Sequence, residues 1–263
     1  MRITETKAST ACSPSKLPGL DWALNPYRGC QHGCVYCYSA DILRLRSDGW
    51  GDFVEVRKNL PVLIARERKK KKGVIGLGTV TDPYQPAEDD FMVSRFCLEQ
   101  LALGDSRVCV QTKSDLVARD IDILARMKGS EVGITITTMD QATAKMLEPG
   151  APPPERRVAA VRKLSSAGIN TWVFLGPILP GMNDSYDSMA QVVRNAKQAG
   201  ASKIIYDHLR LKPILQERLI KKLGYEIAHP IIRDSADREW RERVCVDIEI
   251  LGDENDIKVE RAF

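Results

Sequence analysis

The chain has 263 residues, enough for one large α/β domain or two modest ones with a substantial core. Hydrophobic residues make up 43% and charged residues 28%, as in an ordinary soluble globular protein, and the formal net charge of +4 is mild. No apolar run approaches the roughly 20 residues a membrane span needs, so no membrane association is expected.

The first segment, MRITETKASTACSPS, has no hydrophobic signal core, and the expectation is a cytoplasmic protein. In that reducing compartment persistent disulfides are not expected, and the seven cysteines need another explanation. Cys12, Cys97, Cys109 and Cys245 are scattered and read as small buried hydrophobes.

Residues 1–20 read as a lead-in, followed by a first strand around 22–25. Directly after it come Cys30, Cys34 and Cys37 in the spacing C-x3-C-x2-C. A helix then ends in the basic run Arg66 to Lys72, RERKKKK. It is either a solvated helix end whose cations favour the C-terminal dipole or a patch that attracts nucleic acid. Aromatic residues are not interleaved with it, so no dedicated single-strand platform is indicated.

From residue 74 onward strands and helices alternate. VIGLG (74–78) is a strand, TVTDPYQPAEDD a Pro-rich loop, and 91–103 a helix that stops at Gly104. VCVQT (108–112) is the next strand, with Ser114 as N-cap of a helix over 116–127. Strands follow at 132–138, 171–176 and 202–209, separated by helices over 154–167 and 186–199. A helix that starts on a proline and stops at Gly168 has the usual asymmetry of helix ends.

About six parallel strands with right-handed crossovers suit a partial (β/α)6 barrel or an open sheet rather than a closed eight-stranded barrel. The core domain is expected over 21–211. Residues 212–263 form a C-terminal extension with a helix over 215–223, a turn-rich piece over 225–240 and a strand, VCVDIEIL, over 244–251.

A cysteine loop directly after a strand of a βα fold sits at the C-terminal edge of the sheet, where ligands bind. Zinc in a closed structural site takes four protein ligands, with His32 or Cys12 as candidates for the fourth. An iron–sulfur cluster on three cysteines leaves one iron free to bind a small molecule.

The stretch NPYRGCQHGCVYCY (25–38) resembles the signature of radical S-adenosylmethionine (SAM) enzymes, in particular the spore photoproduct lyase-like, or DNA repair photolyase-like, branch. GTVTDPYQP (78–86), QTKSDLVARD (111–120), TITT (135–138), EPGAPPPERR (148–157) and GPILPGMND (176–184) match it in the expected order.

The resemblance implies a radical SAM partial barrel with a 4Fe–4S cluster on Cys30, Cys34 and Cys37, whose fourth iron takes the methionine part of SAM. An external donor of flavodoxin or ferredoxin type supplies the electron that cleaves the sulfonium C–S bond. The resulting 5′-deoxyadenosyl radical abstracts hydrogen from a substrate.

By the same resemblance Tyr36 packs near the adenine, and Thr79 to Asp82, with Thr79, Thr81 and Asp82 as the polar residues, hold the methionyl ammonium. Lys113, with Ser114 beside it, meets the methionyl carboxylate, and Thr135 and Thr137 meet the ribose hydroxyls. GPILPG (176–181) shapes the wall near the adenine. Each position also has a plain structural reading: Tyr36 buried under the loop, Asp82-Pro83 as turn chemistry, Lys113 solvated, the threonines as strand formers.

Tyr38 matches a tyrosine of the radical relay and is the candidate catalytic residue. The cysteine that returns hydrogen in photoproduct lyases is missing, because Thr79, Val80 and Thr81 stand in its place. Thymine-dimer repair by that relay is therefore not implied. The substrate is a nucleic acid, as in the lyase-like branch, or else a protein, peptide or small metabolite. A zinc-stabilised nucleic-acid-binding protein without catalysis is the rival from another class. His208 and Arg210, at the end of the last strand, are placed near the substrate by position alone.

Overall fold

A computed structural model describes residues 1–45 and 49–262. Its strands are β1 (Arg2–Thr6), β2 (Ser13–Pro14), β3 (Trp22–Leu24), β4 (Tyr27–Arg28), β5 (Phe53–Arg57), β6 (Val74–Leu77), β7 (Arg107–Thr112), β8 (Glu131–Thr135), β9 (Asn170–Ile178), β10 (Lys203–His208) and β11 (Lys258–Arg261). The main sheet has the order β11-β10-β9-β8-β7-β6-β3-β2, parallel throughout except for the antiparallel edge strand β2.

This order follows the chain without reversal. Each crossover therefore steps the same way, puts its helix on the same face, and leaves the other face as the lumen of a partial barrel. The side chains follow this division. Val108 and Val110 of β7, Val132 and Ile134 of β8, Val173 of β9 and Ile204 of β10 are fully buried in the main apolar core. From the helices, Val158, Val161, Leu164, Met189, Val192, Val193 and Ala196 join the same core.

The alternate strand positions, Gly76, Gln111, Gly133 and Thr135, share the lumen face. Gly133 has to be glycine, because a Cβ there would lie 2.3 Å from the Trp172 ring of its neighbouring strand.

The parallel strands over 74–208 match the sequence reading; several other elements differ from it. The lead-in pairs with the body: β2 with β3, and β1 with β5 in a small three-stranded sheet of order β1-β5-β4. The helix expected over 91–103 is interrupted at Met92, whose φ is 50°, giving Ala87–Phe91 and Val93–Leu101. The helix expected over 116–127 is a 3-10 turn, Asp115–Asp120, followed by a short helix, Ile121–Leu124.

The extension departs furthest. Helices run over Pro213–Leu223, Tyr225–Asp234 and Arg238–Glu254. The turn-rich piece is helical despite Pro230, which costs the helix a single ladder hydrogen bond. VCVDIEIL is helical because Trp240, Val244, Ile248 and Leu251 form one buried stripe at helical spacing, and Asp237 caps the start by accepting the Glu239 N–H at 2.9 Å. The extension then returns to the sheet as β11, parallel to β10. No helix among the described residues is long and apolar enough to cross a membrane.

Candidate cofactor site at the C-terminal edge of the sheet

The cysteine loop leaves β4 at Gly29. This residue has φ +84°, and a Cβ there would lie 2.2 Å from the Phe53 carbonyl oxygen of β5, so only glycine makes the turn. Within the loop Gly33 N–H donates to Cys30 O at 3.3 Å and Cys37 N–H to Cys34 O at 3.2 Å. Outside partners fix it: Val35 N–H donates to Leu147 O and Gly150 N–H to His32 O, both at 2.9 Å. Gln85 accepts the Gln31 N–H at 2.9 Å and donates to Gly29 O at 3.2 Å.

Cys30 and Cys34 are buried and Cys37 is half-buried. Burial pushes the Cys30 thiol up, and pushes Cys34 to about 12 despite the opposing charge of Lys113. On their own Cys30 and Cys34 stay protonated, and a coordinating metal is what strips the proton. Among the described residues no three His, Cys, Asp or Glu side chains converge on a single ion. The donor set is three thiols distributed along one loop, which suits a multi-iron cluster with one iron lacking a protein ligand.

Behind the loop lies a buried polar network. Tyr36 donates its hydroxyl to Glu148, Thr137 donates to the same carboxylate at 3.2 Å, and Arg157 pairs with it at 2.5 Å. Arg157 also donates to Pro152 O at 2.8 Å and Thr135 O at 3.2 Å. Lys113 Nζ lies 5.5 Å from the centroid of the Tyr36 ring.

Burial opposes ionisation of Glu148, but Arg157 and Lys113 outweigh it and hold the carboxyl below its usual range. Burial likewise works against the Lys113 cation, and Cys34 and Glu148 more than restore it. Two cations therefore face one carboxylate, an excess of positive charge that fits an incoming carboxylate.

The end of β6 forms the adjoining wall. Asn25 clamps it, donating to Thr79 Oγ1 and accepting Val80 N–H, both at 2.9 Å. Thr81 donates its hydroxyl to Tyr27 O at 2.9 Å. The Asp82 carboxylate accepts from the Thr112 hydroxyl at 2.6 Å, Lys113 N–H at 2.8 Å and Tyr84 N–H at 2.9 Å, and has His32 Nδ1 at 3.2 Å. Burial would raise this carboxyl, but His32, Thr112 and the Lys113 amide bring it down to about 2.

Ser114 accepts the Leu116 N–H at 3.3 Å and so caps the following turn. Tyr38, 45% exposed, stands at the mouth and donates its hydroxyl to Thr79 O at 3.1 Å.

Of the residues proposed from the sequence, Tyr36, Lys113 and Thr137 meet around Glu148. Thr79, Thr81 and Asp82 line the neighbouring strand end, Thr135 offers its carbonyl to Arg157, and Ser114 lies one turn further out. Sequence reasoning missed Glu148 and Arg157, although both fall inside the quoted segment EPGAPPPERR. It also gave no sign that the extension covers the cysteine loop. Leu215, Leu219, Ala228 and Ile231 pack with Leu147, Leu179 and Leu209 over Cys34, Val35 and Tyr36. From the same helix Arg218, 0% exposed, donates from Nε to Val35 O at 3.0 Å and from Nη2 to Cys37 O.

One positional expectation changes. His208 faces the helical layer, stacked edge-on against Trp240 at 5.2 Å, so it is not at the substrate face; Arg210 pairs with Asp207 at 3.1 Å. The basic run starts in the last turn of the helix Leu60–Glu67 and continues towards the start of β6, at the N-terminal edge of the sheet and opposite the cysteine loop. Lys71 in that run sits 3.8 Å over the Trp22 ring.

A partial barrel that presents three thiols and a cation-rich recess at its C-terminal edge defines a cofactor-dependent enzyme core. Residues 24–193 match the radical SAM superfamily, and the chain belongs to it. An uncharacterized protein of Methanocaldococcus jannaschii is 37% identical over 187 residues, 70% of each chain. A radical SAM Nalpha-GlyT isomerase of Pseudomonas phage M6 is 23% identical over 76% of this chain and 43% of its own. A mutant spore photoproduct lyase with bound AdoMet and dinucleoside spore photoproduct shares the fold, with a TM-score of 0.74 and 16% identity over 100% of this chain and 82% of that one.

Proposed function

We propose that this radical SAM enzyme reductively cleaves SAM at a 4Fe–4S cluster on Cys30, Cys34 and Cys37 and abstracts hydrogen from a nucleic acid. The observation that carries the first part is the pairing of three loop thiols with a recess where Lys113 and Arg157 face the single carboxylate of Glu148. When bound, the cluster supplies the electron that opens the sulfonium C–S bond, and the 5′-deoxyadenosyl radical so released takes hydrogen from the substrate.

The chain's own residues bind, orient and exclude water. Lys113 offers its ammonium to the methionyl carboxylate. The Tyr36 ring, fixed by Glu148, gives a flat wall for the adenine. The Asp82 carboxylate already accepts three hydrogen bonds and faces His32, so in this reading the methionyl ammonium falls to the carbonyl groups beyond β6. The apolar residues of the extension keep water from the loop.

Nucleic acid as substrate is supported by the likeness to the photoproduct lyase fold, seen with a bound dinucleoside spore photoproduct. No cysteine stands at residues 79–81, and in this reading the exposed Tyr38, whose hydroxyl donates to Thr79 O, passes hydrogen to a product radical. A protein, peptide or metabolite substrate is the second reading. One observation favours it: the densest cationic run lies at the far edge of the sheet.

The test is isotope transfer. Reconstituted protein is given SAM, dithionite and oligonucleotides carrying deuterated thymidine. Deuterium in 5′-deoxyadenosine supports the nucleic-acid reading, and its absence alongside SAM cleavage overturns it in favour of the second.

A further inference from the structure

Arg218 is fully buried, yet it makes no ion pair among the described residues. Two of its nitrogens bond to backbone carbonyls of the cysteine loop, and the third, Nη1, is buried without a partner. Its guanidinium lies 5.9 Å from the centroid of the Trp50 ring, which packs with Cys30 and Ala40. Asp41 is close by: one of its oxygens accepts the Ile214 N–H at 3.2 Å, and the other is buried without a hydrogen-bond partner and makes no ion pair with Arg218.

Carbonyl groups orient a guanidinium without neutralising it. A buried cation left without a paired anion is costly; Asp41 acts on Arg218 only at a distance and forms no ion pair with it, so the arrangement leaves room for a further anion beside the loop. Three thiolates around an iron–sulfur core carry net negative charge, which grows on reduction.

We infer that Arg218 is the fixed counter-charge of the cluster held by Cys30, Cys34 and Cys37, and that it raises the reduction potential of that cluster. The inference rests on the cofactor reading above and adds a role for the extension, which that reading treats only as a water barrier. Net charge, hydrogen bonds to the sulfurs and solvent exposure are the protein's means of setting such potentials, and Arg218 acts through its charge. A positive charge held in a dry shell favours the more negative, reduced state, and low local dielectric makes the effect large. The step affected is the gain of one electron, from dithionite in the assay or from a flavodoxin-type donor. No bond forms or breaks in it. Arg218 is thus a positioning residue that also sets how readily the enzyme is primed.

The experiment compares the reconstituted wild type with Arg218→Gln and Arg218→Lys, measuring iron content and the reduced fraction by electron paramagnetic resonance across a redox titration. At a fixed poise the Gln variant should show a reduced-to-oxidised ratio about tenfold lower, equivalent to ~59 mV for a one-electron couple. The Lys variant keeps the charge and should stay within about threefold of wild type.

An unchanged ratio in an iron-replete Gln variant overturns the inference, as does a Lys variant that falls as far as Gln. If the Gln variant takes up no iron, Lys alone decides: a near-wild-type ratio supports the counter-charge, and a tenfold fall overturns it. A wild type that takes up no iron defeats the cofactor reading itself, a separate and visible failure.

Discussion

Asp82, at the end of β6, accepts the backbone N–H of Lys113, at the end of β7, at 2.8 Å. This single bond joins the two strand ends that face the cysteine loop. The same carboxylate lies 3.2 Å from His32 inside the loop, so one side chain ties three separate segments of the site together.

The Asp82 carboxyl sits at about 2 in the folded protein against an ordinary value of 3.8. A carboxyl lowered on folding contributes stability above its unfolded value, and that contribution fades as pH falls through the folded value. The window is therefore about pH 4 down to 2, and the contribution at neutral pH is roughly 2 kcal/mol. Asp82→Asn should lose about that much in urea unfolding of the metal-free protein at pH 7. The gap to wild type should narrow steadily below pH 4. A gap that is constant with pH contradicts the assignment.

Gly150 presses the other side of the loop, where a Cβ would lie 2.2 Å from the Gln31 carbonyl oxygen. Gly150→Ala should cost about 1–3 kcal/mol by forcing the backbone apart. Iron uptake on reconstitution should fall in parallel. Normal uptake with unchanged melting shows that the close approach is not required.

These two contacts mark the limit of what the sequence could give. The cysteines, the TKS element and the strand pattern are contiguous signals, and the β-branched runs of β7, β8 and β9 are buried as their composition implies. The partners around them are not contiguous. Tyr36 meets Glu148 across 112 residues and Arg218 meets Cys37 across 181, and no local period encodes such pairs.

VCVDIEIL was open to two periods. Val244, Val246, Ile248 and Ile250 alternate as in a strand, whereas Trp240, Val244, Ile248 and Leu251 follow a helix. Packing chose the second and left Val246 and Ile250 exposed.

Lys113 is the cation proposed for the cofactor's carboxylate. Removing a charged hydrogen-bond partner costs about 1.5–3 kcal/mol. Lys113→Met should weaken SAM binding by about ten- to a hundredfold in calorimetry, with iron content retained. Unchanged affinity in the iron-replete variant would assign the carboxylate to another residue.

The basic run offers a spatial control. Lys69 to Lys72 lie at the opposite edge of the sheet from Cys30, Cys34 and Cys37, so replacing them with glutamine should leave SAM cleavage unchanged. If the run contacts nucleic acid, the replacement should also flatten the salt dependence of oligonucleotide binding. A loss of cleavage in this variant would contradict the placement of the site.

The central claim is that the three loop cysteines carry a cluster that cleaves SAM. The most direct measurement is the yield of 5′-deoxyadenosine from anaerobically reconstituted protein with SAM and dithionite, alongside Cys34→Ala. The account predicts a brown wild type with about four irons per chain that forms 5′-deoxyadenosine and methionine, and a variant that forms neither. An intact four-iron cluster that leaves SAM uncleaved, or a colourless protein holding stoichiometric zinc, would contradict it.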